Sequence, residues 1–212
     1  MEIFKIESEH IDYSLIRRAA GILRAGGLVI FPTDTLYGLG ANIYDDAAIK
    51  RVFEIKKRPL NKSLPVLIAD PEEVASLAQE IPPLAKALMD SFWPGQLTLI
   101  FKKGSSVSTF LTGGKDTVAL RIPDHPVSLA LIREAGFPLT GPSANLTGVE
   151  PPVTAEEAAK TLGEMVDLII DTGPCPVGAP STVLDLTGSK PRIIREGAIP
   201  RHVLETQVEA DL

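Results

Sequence analysis

Short β-rich runs alternate with stretches of helical apolar spacing along almost the whole chain, and Gly, Pro, Asp or Thr marks each change of period. That alternation constrains the fold more than any other feature, because a period near 2 commits a segment to a sheet and one near 3.6 to a helix packed on it. Residues 12–25 place Leu15, Ile16, Ala19, Ile22 and Leu23 at helical spacing before a Gly26-Gly27 stop, and residues 28–31 then read as a short buried strand. Asp45 or Asp46 can cap a helix carrying Ile49, Val52 and Phe53, with Pro59 as its terminator, and residues 64–69 read as a strand. Asp70-Pro71-Glu72-Glu73 supplies an N-cap, a first-turn proline and a glutamate for a further helix. Residues 97–101, 118–122, 137–140, 168–170, 183–186 and 192–194 read as strands, and 126–135 and 154–162 as helices, the second opened by a Thr154-x-x-Glu157 capping box. The pattern predicts an α/β fold whose consecutive late strands make the sheet mixed rather than wholly parallel.

At 212 residues the chain suits one large domain or two small ones. Apolar residues are 44% and charged residues 23%, which excludes disordered, collagen-like and coiled-coil classes. The start, Met-Glu-Ile-Phe-Lys-Ile-Glu, lacks the basic and apolar regions of a signal peptide, and no apolar run nears the roughly 20 residues of a membrane span. The lone Cys175 excludes an internal disulfide and a cysteine-based zinc site. A cytoplasmic protein without membrane association is expected. The net charge of -6 argues against nucleic acid as the main ligand, although six cations (Lys50, Arg51, Lys56, Lys57, Arg58 and Lys62) fall within thirteen residues.

No GxxxxGK[ST], GxGxxG, HExxH or GxSxG motif is present, and His10, His125 and His202 stand in unrelated contexts. Five polar clusters stand out. Residues 32–40, Pro-Thr-Asp-Thr-Leu-Tyr-Gly-Leu-Gly, follow a buried strand, where α/β proteins place ligand loops, yet the same residues make an ordinary turn. Residues 56–62, Lys-Lys-Arg-Pro-Leu-Asn-Lys, are either a solvated helix end favoured by the macrodipole or a polyphosphate clamp. Arg121 stands within the apolar run 117–123 and needs a partner, whether an acid of the fold or a ligand carboxylate. Residues 141–148, Gly-Pro-Ser-Ala-Asn-Leu-Thr-Gly, and 178–183, Gly-Ala-Pro-Ser-Thr-Val, are small and polar, and Arg195-Glu196-Gly197 closes the series. Each alone passes for a turn.

In this order the clusters resemble the YrdC/Sua5 family of L-threonylcarbamoyladenylate synthases over about residues 11–199. The most specific stretches are PTDTLYGLG at 32–40, KKRPLNKSLPVLI at 56–68, WPGQLTL at 93–99, RIPDHP at 121–126, GPSAN at 141–145, STVLDL at 181–186 and IIREG at 193–197. The resemblance implies a YrdC-like twisted mixed sheet with flanking helices and a central ligand cavity, here as a single domain over 1–212 with a short tail beyond 199. It implies an enzyme, a nucleotidyltransferase that forms threonylcarbamoyl-AMP and pyrophosphate from L-threonine, bicarbonate and ATP. Mg²⁺ is held mainly through the ATP phosphates and no metal by side chains alone. Partner proteins then carry the threonylcarbamoyl group to adenosine 37 of tRNA, giving the t6A modification.

By the same resemblance Thr35, Arg121, Gly141 and Ser181 form the threonine pocket, with Leu67 near it where some relatives carry histidine. Lys56, Arg58, Lys62, Thr117, Ser143, Pro151 and Arg195 contact ATP, and Lys56 and Arg58 carry the catalytic charge; Lys62 replaces an asparagine of some members. The residue types suit the chemistry. Arg121 offers a planar fork for an α-carboxylate, and hydroxyls can orient a small polar amino acid. A double-stranded RNA or tRNA-binding module without turnover, using the cations at 50–62, is the alternative from another class, and weak RNA binding could accompany the enzyme.

Overall fold

The computed structural model describes residues 2–208, with side chains to 206; the last residues of the expected tail, 209–212, lie outside the described residues. Among the described residues, ten strands and seven α-helices follow one another in the order β1 (Glu2–Lys5), α1 (Tyr13–Arg24), β2 (Val29–Phe31), β3 (Gly38–Gly40), α2 (Asp46–Ile55), β4 (Val66–Leu67), α3 (Val74–Leu77), α4 (Pro83–Phe92), β5 (Leu97–Lys102), β6 (Thr117–Arg121), α5 (Pro126–Ala135), β7 (Leu139–Thr140), α6 (Ala155–Leu162), β8 (Leu168–Asp171), β9 (Thr182–Asp185), β10 (Arg192–Arg195) and α7 (Arg201–Val208). The expected mixed sheet is two mixed sheets, one of order β1-β8-β2-β3 and one of order β10-β9-β5-β6-β4-β7. They meet where Gly38 bridges Ser143 and Asn42 bridges Leu139, so two of the polar clusters lie on the seam.

Strand β2 is buried on both faces, as a continuous Val-Ile-Phe run requires. Ile30 joins the larger core with Val66, Leu99, Leu120 and Leu184, whereas Val29 and Phe31 join the smaller core formed with α1 and α5. Strand β6 shows the other pattern. Val118 and Leu120 point into the larger core, and Thr117, Ala119 and Arg121 share the opposite face. On the paired strand β5, Ile100 stands opposite Ala119 and Lys102 opposite Thr117.

Local chemistry explains several boundaries. Asp45 is the cap of α2, accepting from Ala47 and Ala48 N–H at 2.9 and 3.1 Å. The helix stops at Ile55, earlier than Pro59, because Lys57 turns into the left-handed region (φ 48°) and the Arg58 N–H closes onto Phe53 O at 2.9 Å. The helix expected after Asp70 is a 3₁₀ turn, Pro71–Glu73, running into the four residues of α3. Glu73 accepts from the Ala69 and Asp70 N–H groups at 2.8 and 3.0 Å there. The Thr154 capping box of α6 forms as expected, with Thr154 accepting from Glu157 N–H at 3.2 Å.

Candidate active site

The turn after β2 is held by its own hydroxyls. Thr33 Oγ1 accepts from the Thr35 and Leu36 N–H groups, both at 3.1 Å, and donates to Leu36 O at 2.7 Å. That closed turn presents Asp34 and Thr35 towards the end of β6, both only 2% exposed. Arg121 meets them there. Its Nε donates to Gly95 O at 2.8 Å, Nη1 to Thr35 Oγ1 at 2.8 Å, and Nη2 to Asp34 Oδ1. Burial pushes this guanidinium below the ordinary arginine value, and the Asp34 charge opposes that push. Of the two partners open to Arg121 from the sequence, the fold thus supplies an acid. A guanidinium carries five N–H groups, so one on each terminal nitrogen remains beyond these three bonds.

Ser181, at the start of β9, extends the cluster. Its Oγ lies 2.8 Å from Thr98 Oγ1, and Arg195 of β10 donates to Ser181 O at 2.8 and 3.2 Å and to its Oγ at 3.2 Å. Arg195, assigned to ATP by the resemblance, therefore sits against a residue assigned to threonine. The antiparallel pairing of β9 and β10 explains this, setting Arg195 opposite Val183.

Residues 141–145 run antiparallel to the first loop. Leu39 N–H donates to Pro142 O and Ala144 N–H to Tyr37 O, each at 2.8 Å. Lys56 secures this segment from the end of α2. Its ammonium donates to Ser143 O and Asn145 O at 2.5 and 2.6 Å, and its own carbonyl accepts from Thr147 N–H at 2.9 Å. The side chain is 2% exposed, and burial lowers its pKa to about 7 with a further push from Arg58. Ser143 Oγ donates to Asn145 Oδ1 at 2.5 Å. Gly141 lies so close to Leu67 that an added Cβ would stand 2.4 Å from its Cγ, and Leu67 otherwise belongs to the smaller core.

Arg58 curls over its own loop, donating to Lys62 O at 3.1 Å and Ser63 O at 2.7 Å, while the Lys62 side chain is exposed. Pro151 precedes Pro152, whose carbonyl accepts from Tyr37 N–H at 3.0 Å, so that loop also lies against residues 32–40. Thr117 is set apart from the others. It shares the Arg121 face of β6 but sits four residues away, roughly 13 Å at strand rise, lining an open cavity of about 470 Å³ with Lys102, Lys103 and Thr187.

Sequence reasoning passed over Asp34, Gln96 and Asn145 although each lies inside a quoted motif. Gln96 Nε2 donates to Asp34 Oδ2 at 2.9 Å, and Asn145 Nδ2 to Val149 O at 2.6 Å. An acid two residues after a proline inside a buried turn was the available signal. Among the described residues no group of three or more His, Cys, Asp or Glu side chains could hold a metal, and no helix is long and apolar enough to cross a membrane.

A family model described as "Telomere recombination" (Sua5/YciO/YrdC) matches residues 21–197. The threonylcarbamoyl-AMP synthase of Pyrococcus abyssi is 45% identical over 197 residues, 93% of this chain and 58% of that protein. The structure of P. abyssi Sua5 complexed with L-threonine superposes with a TM-score of 0.95 at 43% identity, covering 98% of this chain and 61% of that one. Escherichia coli YciO superposes with a TM-score of 0.85 at 33% identity over 93% of this chain and 96% of its own. The chain thus spans about three fifths of the P. abyssi relative.

Proposed function

The chain belongs to the Sua5/YciO/YrdC family, and on that premise we propose that it makes threonylcarbamoyl-AMP and pyrophosphate from L-threonine, bicarbonate and ATP. The observation that carries the reading is the end of β6. A buried arginine keeps one N–H on each terminal nitrogen beyond its protein partners, against the Thr35 hydroxyl, while the Ser181 hydroxyl is held by Thr98 and Arg195. That is a binding set for the carboxylate and polar side chain of a small amino acid. The P. abyssi relative whose fold it shares is complexed with L-threonine.

In this reading Arg121 takes the threonine carboxylate while Thr35, Gly141 and Ser181 form the pocket with Leu67 as its apolar wall. The amine and bicarbonate form a carbamate with loss of water, a carbamate oxygen attacks the α-phosphorus of ATP, and the bond to pyrophosphate breaks as it leaves. Arg58, Lys62 and Arg195 offset the phosphate charge, and Lys56 keeps one of its three N–H groups for a phosphate oxygen. Ser143 and Pro151 bound the nucleotide, and Thr117 marks the far end of an extended ligand along the β6 face. The cluster offers cations rather than grouped carboxylates, so Mg²⁺ would arrive on the ATP phosphates with water as its other ligands. Positioning supplies most of the rate, since no step requires a covalent enzyme intermediate. The product, a reactive mixed anhydride, is consumed by partner proteins that modify adenosine 37 of tRNA, and the whole sequence runs in the cytoplasm in one functional unit spanning residues 11–199.

The test is mass spectrometry after incubation with ATP, Mg²⁺, bicarbonate and threonine. Threonylcarbamoyl-AMP that depends on all four supports the reading, and ATP hydrolysis indifferent to threonine overturns it.

A further inference from the structure

We propose that Asp34 is a positioning residue that sets Arg121 for its substrate carboxylate. The inference rests on the amino-acid reading of the Arg121 cluster and goes beyond it, because Asp34 itself is closed off from a ligand. The residue is 2% exposed, and protein donors take up its carboxylate from two sides. Oδ1 accepts from Arg121 Nη2 and from Asp124 N–H at 3.1 Å, and Oδ2 accepts from Gln96 Nε2 at 2.9 Å. Its backbone carbonyl accepts from Val177 N–H at 3.0 Å. The side chain therefore joins the loop after β2 to the chain entering β5, to the end of β6 and to the segment after it, and the backbone of the same residue adds the loop before β9.

The guanidinium is planar, so three anchors at different nitrogens fix its plane and its rotation. Gly95 O fixes Nε, Thr35 Oγ1 fixes Nη1, and Asp34 fixes Nη2. Only the Asp34 contact is charged, and it is the anchor on the terminal nitrogen that Thr35 does not hold. With it in place, the remaining N–H on each terminal nitrogen points in a set direction for a carboxylate. Without it, the plane is held only by two neutral contacts, at Nε and Nη1, and Nη2 faces no charged partner to resist tilting of the group. A pair serving only the fold gains little over an apolar pair of equal volume, whereas a pair that leaves ligand donors aligned has a reason to stay charged.

Asp34→Asn removes the charge at nearly constant shape. We expect threonine to bind roughly tenfold to a hundredfold more weakly, the scale of a lost charged hydrogen bond, with the ATP affinity changed less than about threefold. Calorimetry with threonine and with a non-hydrolysable ATP analogue reads both, and initial rates give KM for each substrate and kcat. Gln96→Ala, which keeps the Asp34–Arg121 pair but frees the other carboxylate oxygen, should raise the threonine KM several-fold and leave that for ATP. A purely structural Asp34 would lower the melting temperature and the active fraction yet leave both KM values of the folded enzyme at wild type, and that result overturns the proposal. If Asp34→Asn does not fold, wild-type threonine KM in Gln96→Ala overturns it equally. Failure of the unaltered protein to bind threonine would instead sink the amino-acid reading beneath it.

Discussion

Replacing Gly197 by alanine tests whether the alignment of Arg195 on Ser181 governs turnover. Gly197 lies flat on the start of β9, and a Cβ there would stand 2.2 Å from Pro180 O and 2.6 Å from both Ser181 C and Ser181 O. These are backbone atoms that no side-chain rotation can move aside. Restoring ordinary contact needs the 195–197 segment to lift by roughly 1 Å. Such a shift takes the Arg195 to Ser181 O distance of 2.8 Å to about 3.8 Å, outside hydrogen-bond range. Overpacking of this kind costs roughly 1–3 kcal/mol, which is about 2–12 °C in melting temperature for a domain of this size. Misplacing a charged group by that distance costs on the order of a hundredfold in rate, equivalent to about 2.7 kcal/mol of transition-state stabilisation. Thermal unfolding and pyrophosphate release at varied ATP and threonine measure the two effects separately. Wild-type melting together with wild-type kcat/KM for both substrates would show that the segment yields freely and that the Arg195–Ser181 alignment does not matter.

Arg58→Ala removes a half-buried cation that also holds the Lys62 and Ser63 carbonyls, so turnover at limiting ATP should fall at least tenfold while the melting temperature falls by only a few degrees; unchanged turnover at limiting ATP rejects the clamp. Lys56 ionises at about 7 in the fold against the ordinary 10.5. The unfolded chain therefore binds the extra proton between those values, and wild-type stability gains from rising pH across that window and loses it as pH falls towards 7. Lys56→Met should remove this contribution, so the stability difference between wild type and variant must change with pH between about 7 and 10; a constant difference by chemical denaturation refutes the burial argument.

Where period and capping agreed, the sequence was enough to locate an element. Residues 12–25 and 154–162 fold as helices because Asp12 and Thr154 bind the first-turn N–H groups while the apolar stripe faces the core. Strands β1 and β3 were missed for opposite reasons. Glu2–Lys5 sets two apolar residues between two charged ones, which shows no period of 2, has no turn signal of its own and gains its ladder from distant β8. Gly38–Gly40 reads as a turn by composition, yet glycine is required there, since a Cβ at Gly40 would stand 2.8 Å from the Phe31 ring across the β2–β3 pair. The helix Pro83–Phe92 offered Pro82-Pro83 followed by Leu84, Ala85, Leu88 and Met89, a first-turn proline and an apolar stripe that the reading passed over.

The site shows a sharper limit, and Arg121 and Lys56 define it. Both are cations that the sequence sets among apolar or helix-ending residues, and such a position says only that a partner must exist. The partner's identity is a long-range fact: Asp34 is 87 residues from Arg121, and the Ser143 and Asn145 carbonyls are 87 and 89 residues from Lys56. Backbone carbonyls are the same at every position, so no residue type along the chain can announce that a lysine will end on Ser143 O rather than on a phosphate. A carboxylate can be announced, because a buried turn gains nothing from an acid unless a cation comes to meet it. Asp34 in its buried turn and Arg121 in its buried strand each require what the other has, and pairing such mutually unsatisfied charges across the sequence is the step by which this half of the site becomes readable before any fold is known.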